Sequence, residues 1–131
     1  MKKSILFLVF LVALGSCKKT EESDAGQLAA VAAKGYYDLL LEGKYQKFVA
    51  GVIQQGKIPQ GYHDQQVLNA QMFMEQQQKD HKGISRVDIL HANADTTHHV
   101  ANVFLSFVYG DSTKEQVVIP MVEIHGEWRM R

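Results

Sequence analysis

The stretch ANVFLSFVYGDSTKEQVVIPM, Ala101 to Met121, decides the fold. Apolar side chains recur at every second position. Ala101, Val103, Leu105, Phe107 and Tyr109 form the first set, and Val117, Ile119 and Met121 the second. A period of two belongs to a strand with one buried face. Gly110-Asp111-Ser112 separates the two sets and is a turn signal. Folding the stretch so that Val108 faces Lys114 sets Leu105 against Val117 and Val103 against Ile119. The odd-numbered apolar residues then share a side, and a slip of one residue would turn one set outward. Asn102, Phe104, Ser106 and Val108 take the opposite side, where Phe104 and Val108 offer a patch for a second copy. Pro120 has no N–H for a ladder, so it belongs at a bulge or against an unpaired edge.

Reading on from Met121, His125-Gly126 is a two-residue hairpin turn, and Trp128 and Met130 continue into a fourth strand. Reading back, Val87, Ile89 and His91 alternate with Arg86, Asp88 and Leu90, and Asn93 to Thr96 reads as the turn that follows. Setting Asn93 against Thr97 would place Val87 opposite Val103 and Ile89 opposite Ala101. The C-terminal half is thus an antiparallel meander of four strands.

The period changes upstream. Asp24 suits a helix cap with Gln27 three residues on, and Leu28, Val31, Ala32, Tyr36 and Leu39 fall on one helical face. Gly43 is a stop. A second helix is expected over 44–54, with Tyr45, Phe48, Val49 and Val52 inward. Gly56, Pro59 and Gly61 mark a loop, and a third helix is expected from near Asp64 to Gly83, with Val67, Ala70, Phe73, Met74 and Gln77 on one face. Helices followed by a meander give an α+β fold, the N-terminal helices packed on one face of a curved four-stranded antiparallel sheet.

Two stretches carry a resemblance. AAKGYYDLLLEGKYQKFVAGV, Ala32 to Val52, has a tyrosine pair followed by a glycine–tyrosine step into a second helix. VEIHGEWRMR, Val122 to Arg131, has a tryptophan just after a turn glycine. Both resemble nuclear-transport-factor-2-like, or cystatin-like, α+β domains. The resemblance covers about residues 27 to 131 and brings no catalytic motif with it. It implies a cavity between sheet and helices, for which the candidate lining is Tyr36, Phe73, Met74, Val103, Leu105, Phe107, Met121 and Trp128.

The front of the chain has a different character. Lys2 and Lys3 precede a nearly unbroken apolar run, Ile5 to Leu14. As a helix the run spans about 15 Å, roughly half a bilayer's hydrocarbon core, which suits a signal peptide better than a membrane span. Leu14-Gly15-Ser16-Cys17 resembles the lipobox of bacterial lipoproteins, and Cys17 is the one cysteine of the chain. The resemblance implies a signal peptide over 1–16, cleavage before Cys17 and a diacylglyceryl thioether on that cysteine, with palmitoylation or similar acylation of its amino group. A polar tether over 17–26 and one domain over 27–131 follow. The expected place is a Gram-negative cell envelope, with the outer membrane favoured over the inner. A lone cysteine forms no internal disulfide.

Charge narrows the partners. Fourteen basic and fourteen acidic side chains balance over 131 residues, with no basic stripe, so nucleic acid is not an expected partner. No catalytic set, metal site or cofactor is expected. Tyr36 and Asp38 lie about 200° apart on a helix and do not converge. His98 and His99 would point to opposite faces of a strand, and His91 opposite His99 would be an incomplete metal site. The expected role is a membrane-anchored, non-enzymatic domain that binds a small apolar ligand or an envelope protein. The alternatives are an isomerase- or dehydratase-like enzyme using the cavity, or a structural module using the outer sheet face, where a homodimer would form.

Overall fold

A computed structural model describes residues 24–54 and 56–131. The expected signal peptide, Cys17 and most of the tether lie outside the described residues. Three helices, α1 (Asp24–Leu41), α2 (Tyr45–Ala50) and α3 (Gln60–His81), precede four strands: β1 (Ile84–Asp95), β2 (Val100–Tyr109), β3 (Lys114–Ile124) and β4 (Glu127–Met130). The strands form one antiparallel sheet in sequence order. The fold class is the one the two periods imply. Asp24, Ala25 and Gly26, expected in the tether, are helical.

The β2–β3 register follows from the alternation: Val108 pairs with Lys114, Leu105 with Val117 and Val103 with Ile119. Asp111 stabilises the turn, its Oδ1 accepting the Thr113 backbone N–H at 3.0 Å. At the β3–β4 turn, His125 and Gly126 both have positive φ, 52° and 80°, which suits a tight hairpin. Pro120 accepts at its carbonyl from the Arg131 N–H, 3.0 Å away. Its nitrogen therefore also faces the β4 side of the ladder, where no donor is required of it.

The β1–β2 register differs from the expected one. Val87 pairs with Phe107 and Ile89 with Leu105, because Asn93 to Asp95 belong to the strand and the turn is made by residues 96–99. Asp95 makes that later turn, accepting the backbone N–H groups of Thr97 and His98 at 3.1 and 3.2 Å. The register also shifts between Ile89 and His91. The extra residue, Leu90, reverses the alternation, so odd-numbered Val87 and even-numbered Ala92 both turn to the core. His91 therefore does not face His99. It stacks on Phe104, ring centroids 4.3 Å apart. His98 and His99 sit in the turn, not in a strand. Their Nδ1 atoms lie 2.7 Å from Asp95 and 3.1 Å from Glu123.

Helix α1 also turns differently from its hydropathy. Gly26, Ala29, Ala30, Ala33 and Leu40 are buried, while Leu28 and Val31 are 61% and 63% exposed. The sheet supplies the bulk here. Leu105, Met121 and Trp128 belong to the same buried cluster as the three alanines. A small-residue face lets the helix come close enough to exclude voids, and the larger side chains are left outside. Tyr36 reaches past this layer to donate its hydroxyl hydrogen to the Trp128 carbonyl, at 2.8 Å.

Helix α2 is shorter than expected because its continuation serves the sheet. Met130 N–H donates to the Gly51 carbonyl and Ile53 N–H to the Met130 carbonyl, both at 2.8 Å, so 51–53 covers the outer edge of β4. A side chain at Gly51 would run into the Tyr36 ring. Helix α3 starts at Gln60, behind Pro59, and buries only Ala70. Its C-terminal end is tied down. Asp111 N–H donates to the His81 carbonyl at 3.0 Å, Gly110 N–H to Gly83 at 2.8 Å, and the His81 ring stacks on Tyr109 at 4.2 Å. Nearer its start, Gln66 Oε1 accepts from Gln54 Nε2 at 3.2 Å, an exposed contact.

Candidate functional site

The sheet's inner face is long enough for two kinds of cover. Where α1 lies, Val103, Leu105 and Met121 are fully buried. Beyond them the same face carries Phe107, Val117 and Ile119, and the thinly attached α3 does not fill the space above. A cavity of about 550 Å³ results, within the ordinary range for small-molecule sites. Its other walls are Tyr37 and Leu40 from α1, Phe48, Val49 and Val52 from and just after α2, and Gln66, Asn69, Ala70 and Phe73 from α3.

The wall is apolar with three polar groups: the Tyr37 hydroxyl and the Gln66 and Asn69 amides. None of the lining side chains is an acid, a histidine, a lysine, an arginine, a cysteine, a serine or a threonine. Tyr37 is wedged between Phe48 and Phe107, ring centroids 5.2 and 5.4 Å away. Burial pushes its hydroxyl above the ordinary value of 10.0, because water no longer stabilises the phenolate. It stays a neutral hydrogen-bond donor through the physiological range. Among the described residues no hydrogen-bond partner takes that donor, while Gln66 and Asn69 accept from Gln54 and Gln65.

Two of the eight sequence candidates, Phe73 and Phe107, line this cavity. Val103, Leu105, Met121 and Trp128 are in the closed core under α1 and are not part of this wall. Tyr36 is committed to Trp128, and Met74 is a half-buried α3 residue outside the cavity. The expectation erred because the inner face reads as uniform in sequence, whereas α1 closes one end of it. Tyr37, Leu40, Phe48, Val49, Val52, Gln66, Asn69, Ala70, Val117, Val118 and Ile119 were missed as lining residues. Six of them, Phe48, Val49, Val52, Ala70, Val117 and Ile119, stood on apolar faces already expected to turn inward. Tyr37 had no such signal, being one residue past the face assigned to α1. No group of three or more metal-ligating side chains converges among the described residues.

With this geometry in place, the architecture can be set beside solved structures. A Campylobacter jejuni protein described as an NTF2-like transpeptidase superposes with a TM-score of 0.60, at 9% sequence identity. The match covers 75% of this chain and 92% of that one. At so low an identity the likeness is one of fold. The fold is nuclear-transport-factor-2-like: helices packed on an open four-stranded antiparallel sheet. No protein-family model and no curated protein sequence matches the chain.

Proposed function

We propose that this protein is a lipid-anchored envelope domain that binds an apolar group in the cavity between α3 and the sheet. The observation that carries the binding role is the wall itself: large and apolar, with a few polar groups, among them the half-buried Tyr37 hydroxyl. An apolar ligand bearing a hydrogen-bond acceptor suits it, the acceptor meeting Tyr37 and the remainder displacing water from Phe107, Val117 and Ile119. Enzymatic acid–base chemistry is the weaker reading. It needs a group that exchanges protons near neutral pH, and the only titratable lining residue, Tyr37, is shifted away from that range. The transpeptidase description of the Campylobacter jejuni protein would need a nucleophile, which the wall does not offer.

The binding reading is tested with N-phenyl-1-naphthylamine, whose fluorescence rises in apolar surroundings, on a Cys17→Ser chain. We expect a rise that Ala70→Trp abolishes by filling the cavity. A rise untouched by that substitution, or none at all, would sink it. The anchor reading rests on the run from Lys2 to Cys17. Among the described residues no helix is long and apolar enough to cross a membrane. Two or more acyl chains on Cys17 would hold the domain at a membrane, since each buried methylene contributes about 0.8 kcal/mol. Cys17→Ala is expected to move the protein from the membrane to the soluble fraction, and continued sedimentation with membranes would refute the anchor.

A further inference from the structure

The ladder leaves a gap beside the cavity. In an antiparallel sheet the backbone N–H and C=O of successive residues point alternately to the two neighbouring strands. In β3 the odd-numbered residues serve β2, as the Glu123 N–H shows by donating to the His99 carbonyl at 2.8 Å. The even-numbered residues serve the other side. Ile124 pairs with Glu127, Val122 with Arg129, and the Pro120 carbonyl accepts from Arg131. The next even-numbered residues are Val118 and Gln116. Their backbone groups point to the same side, and no described residue pairs with them there. Val118 is also a cavity-lining residue, between Val117 and Ile119, so the open edge borders the apolar space.

We infer that the cavity's ligand is an extended peptide, added as a strand beside Val118 with one large apolar side chain in the cavity. This rests on the binding role proposed above and names the class of molecule bound. The chemistry is specific. Val118 and Gln116 offer two donors and two acceptors at the repeat of a β-strand, and a peptide backbone presents the complementary set at the same repeat. Period two then places one side chain of the added strand toward the helices, where Phe107, Phe73 and Ala70 surround the open volume. A fatty molecule would fill the cavity equally well but would leave the Val118 N–H and C=O unpaired. Pro120 limits the edge at one end, since it can add no donor there.

The test uses a phage-displayed library of nine-residue peptides selected on the full chain. Selected peptides are expected to share one large apolar residue flanked by β-formers. Binding should slow amide hydrogen exchange at Val118 and leave the ladder amides of Val117 and Ile119 unchanged. N-methylation of the single peptide amide that meets the Val118 carbonyl should weaken binding at least about tenfold, with the protein untouched. Val118→Pro removes the edge donor without removing a β2–β3 bond and should do the same. Selected peptides that bind without protecting Val118, or that tolerate both changes, overturn the inference. So does a chain that takes up N-phenyl-1-naphthylamine in its cavity but enriches no peptide. A chain that takes up neither overturns the cavity role as well, so the two failures are told apart.

Discussion

Under α1 the inner face of the sheet is closed, and under α3 it is open. The strands are the same and the alternation is unbroken in β2 and β3, so the difference comes from the covering helices. Helix α1 brings Ala29, Ala30 and Ala33 against Leu105 and Met121, and all five are at most 4% exposed. Helix α3 brings one buried residue, Ala70, and leaves Tyr62, Leu68 and Met72 in solvent. Close approach needs small side chains on one partner where the other is already large. The region that met this condition became a core, and the region that did not became a site.

Removal of volume should separate the two regions most sharply. Leu105→Ala is expected to cost about 3 kcal/mol in urea unfolding, since a fully buried leucine leaves a cavity that its neighbours cannot fill. Val117→Ala, already beside open space, should cost under about 1 kcal/mol. Equal losses at both sites would erase the distinction drawn here. Addition of volume should run the other way. Ala33→Leu is expected to destabilise by about 2 kcal/mol through overpacking, whereas Ala70→Leu should be neutral or stabilising and should weaken probe binding. Gly51→Ala probes the boundary between the regions. It should cost about 1 to 2 kcal/mol, because the new methyl displaces the Tyr36 ring and strains its bond to Trp128.

The smallest expected effect is alkaline. Burial, followed by the hydrogen bond to Glu115, pushes the Tyr109 hydroxyl up to about 12. The folded state then holds this proton more tightly than the unfolded one. The associated stability is complete below about pH 10 and declines as pH rises from there toward about 12. Unfolding midpoints across that window should fall less in Glu115→Gln. A midpoint that instead rose with pH would contradict the assignment.

The sequence made the β2–β3 pairing legible because the turn at Gly110 to Ser112 places the two strands and a slip of one residue would part Leu105 from Val117 and Ile119. The β1 register was not legible. It depends on Asp95 bonding two backbone donors ahead of it and on an extra residue at Leu90, neither of which disturbs hydropathy enough to be noticed. The inward face of α1 was misjudged for a related reason. Hydropathy favours Leu28 and Val31, but contact distance favours alanine, and contact distance depends on a sheet face known only once the chain is folded. The cavity was partly legible, through Phe73 and Phe107. What could not be read was how far α1 reaches along the sheet, and with it where filling stops.

The two ends of α3 are held unequally. His81 and its neighbours are bonded to Asp111, Gly110 and Tyr109, while Tyr62 is exposed and the Gln54–Gln66 contact faces water. A tilt of such a helix would have its fulcrum at the histidine. Its 22 residues span about 33 Å, so a tilt of about 5° moves the Gln60 end by about 3 Å. That displacement is enough to admit an aromatic ring while the anchored end stays almost still.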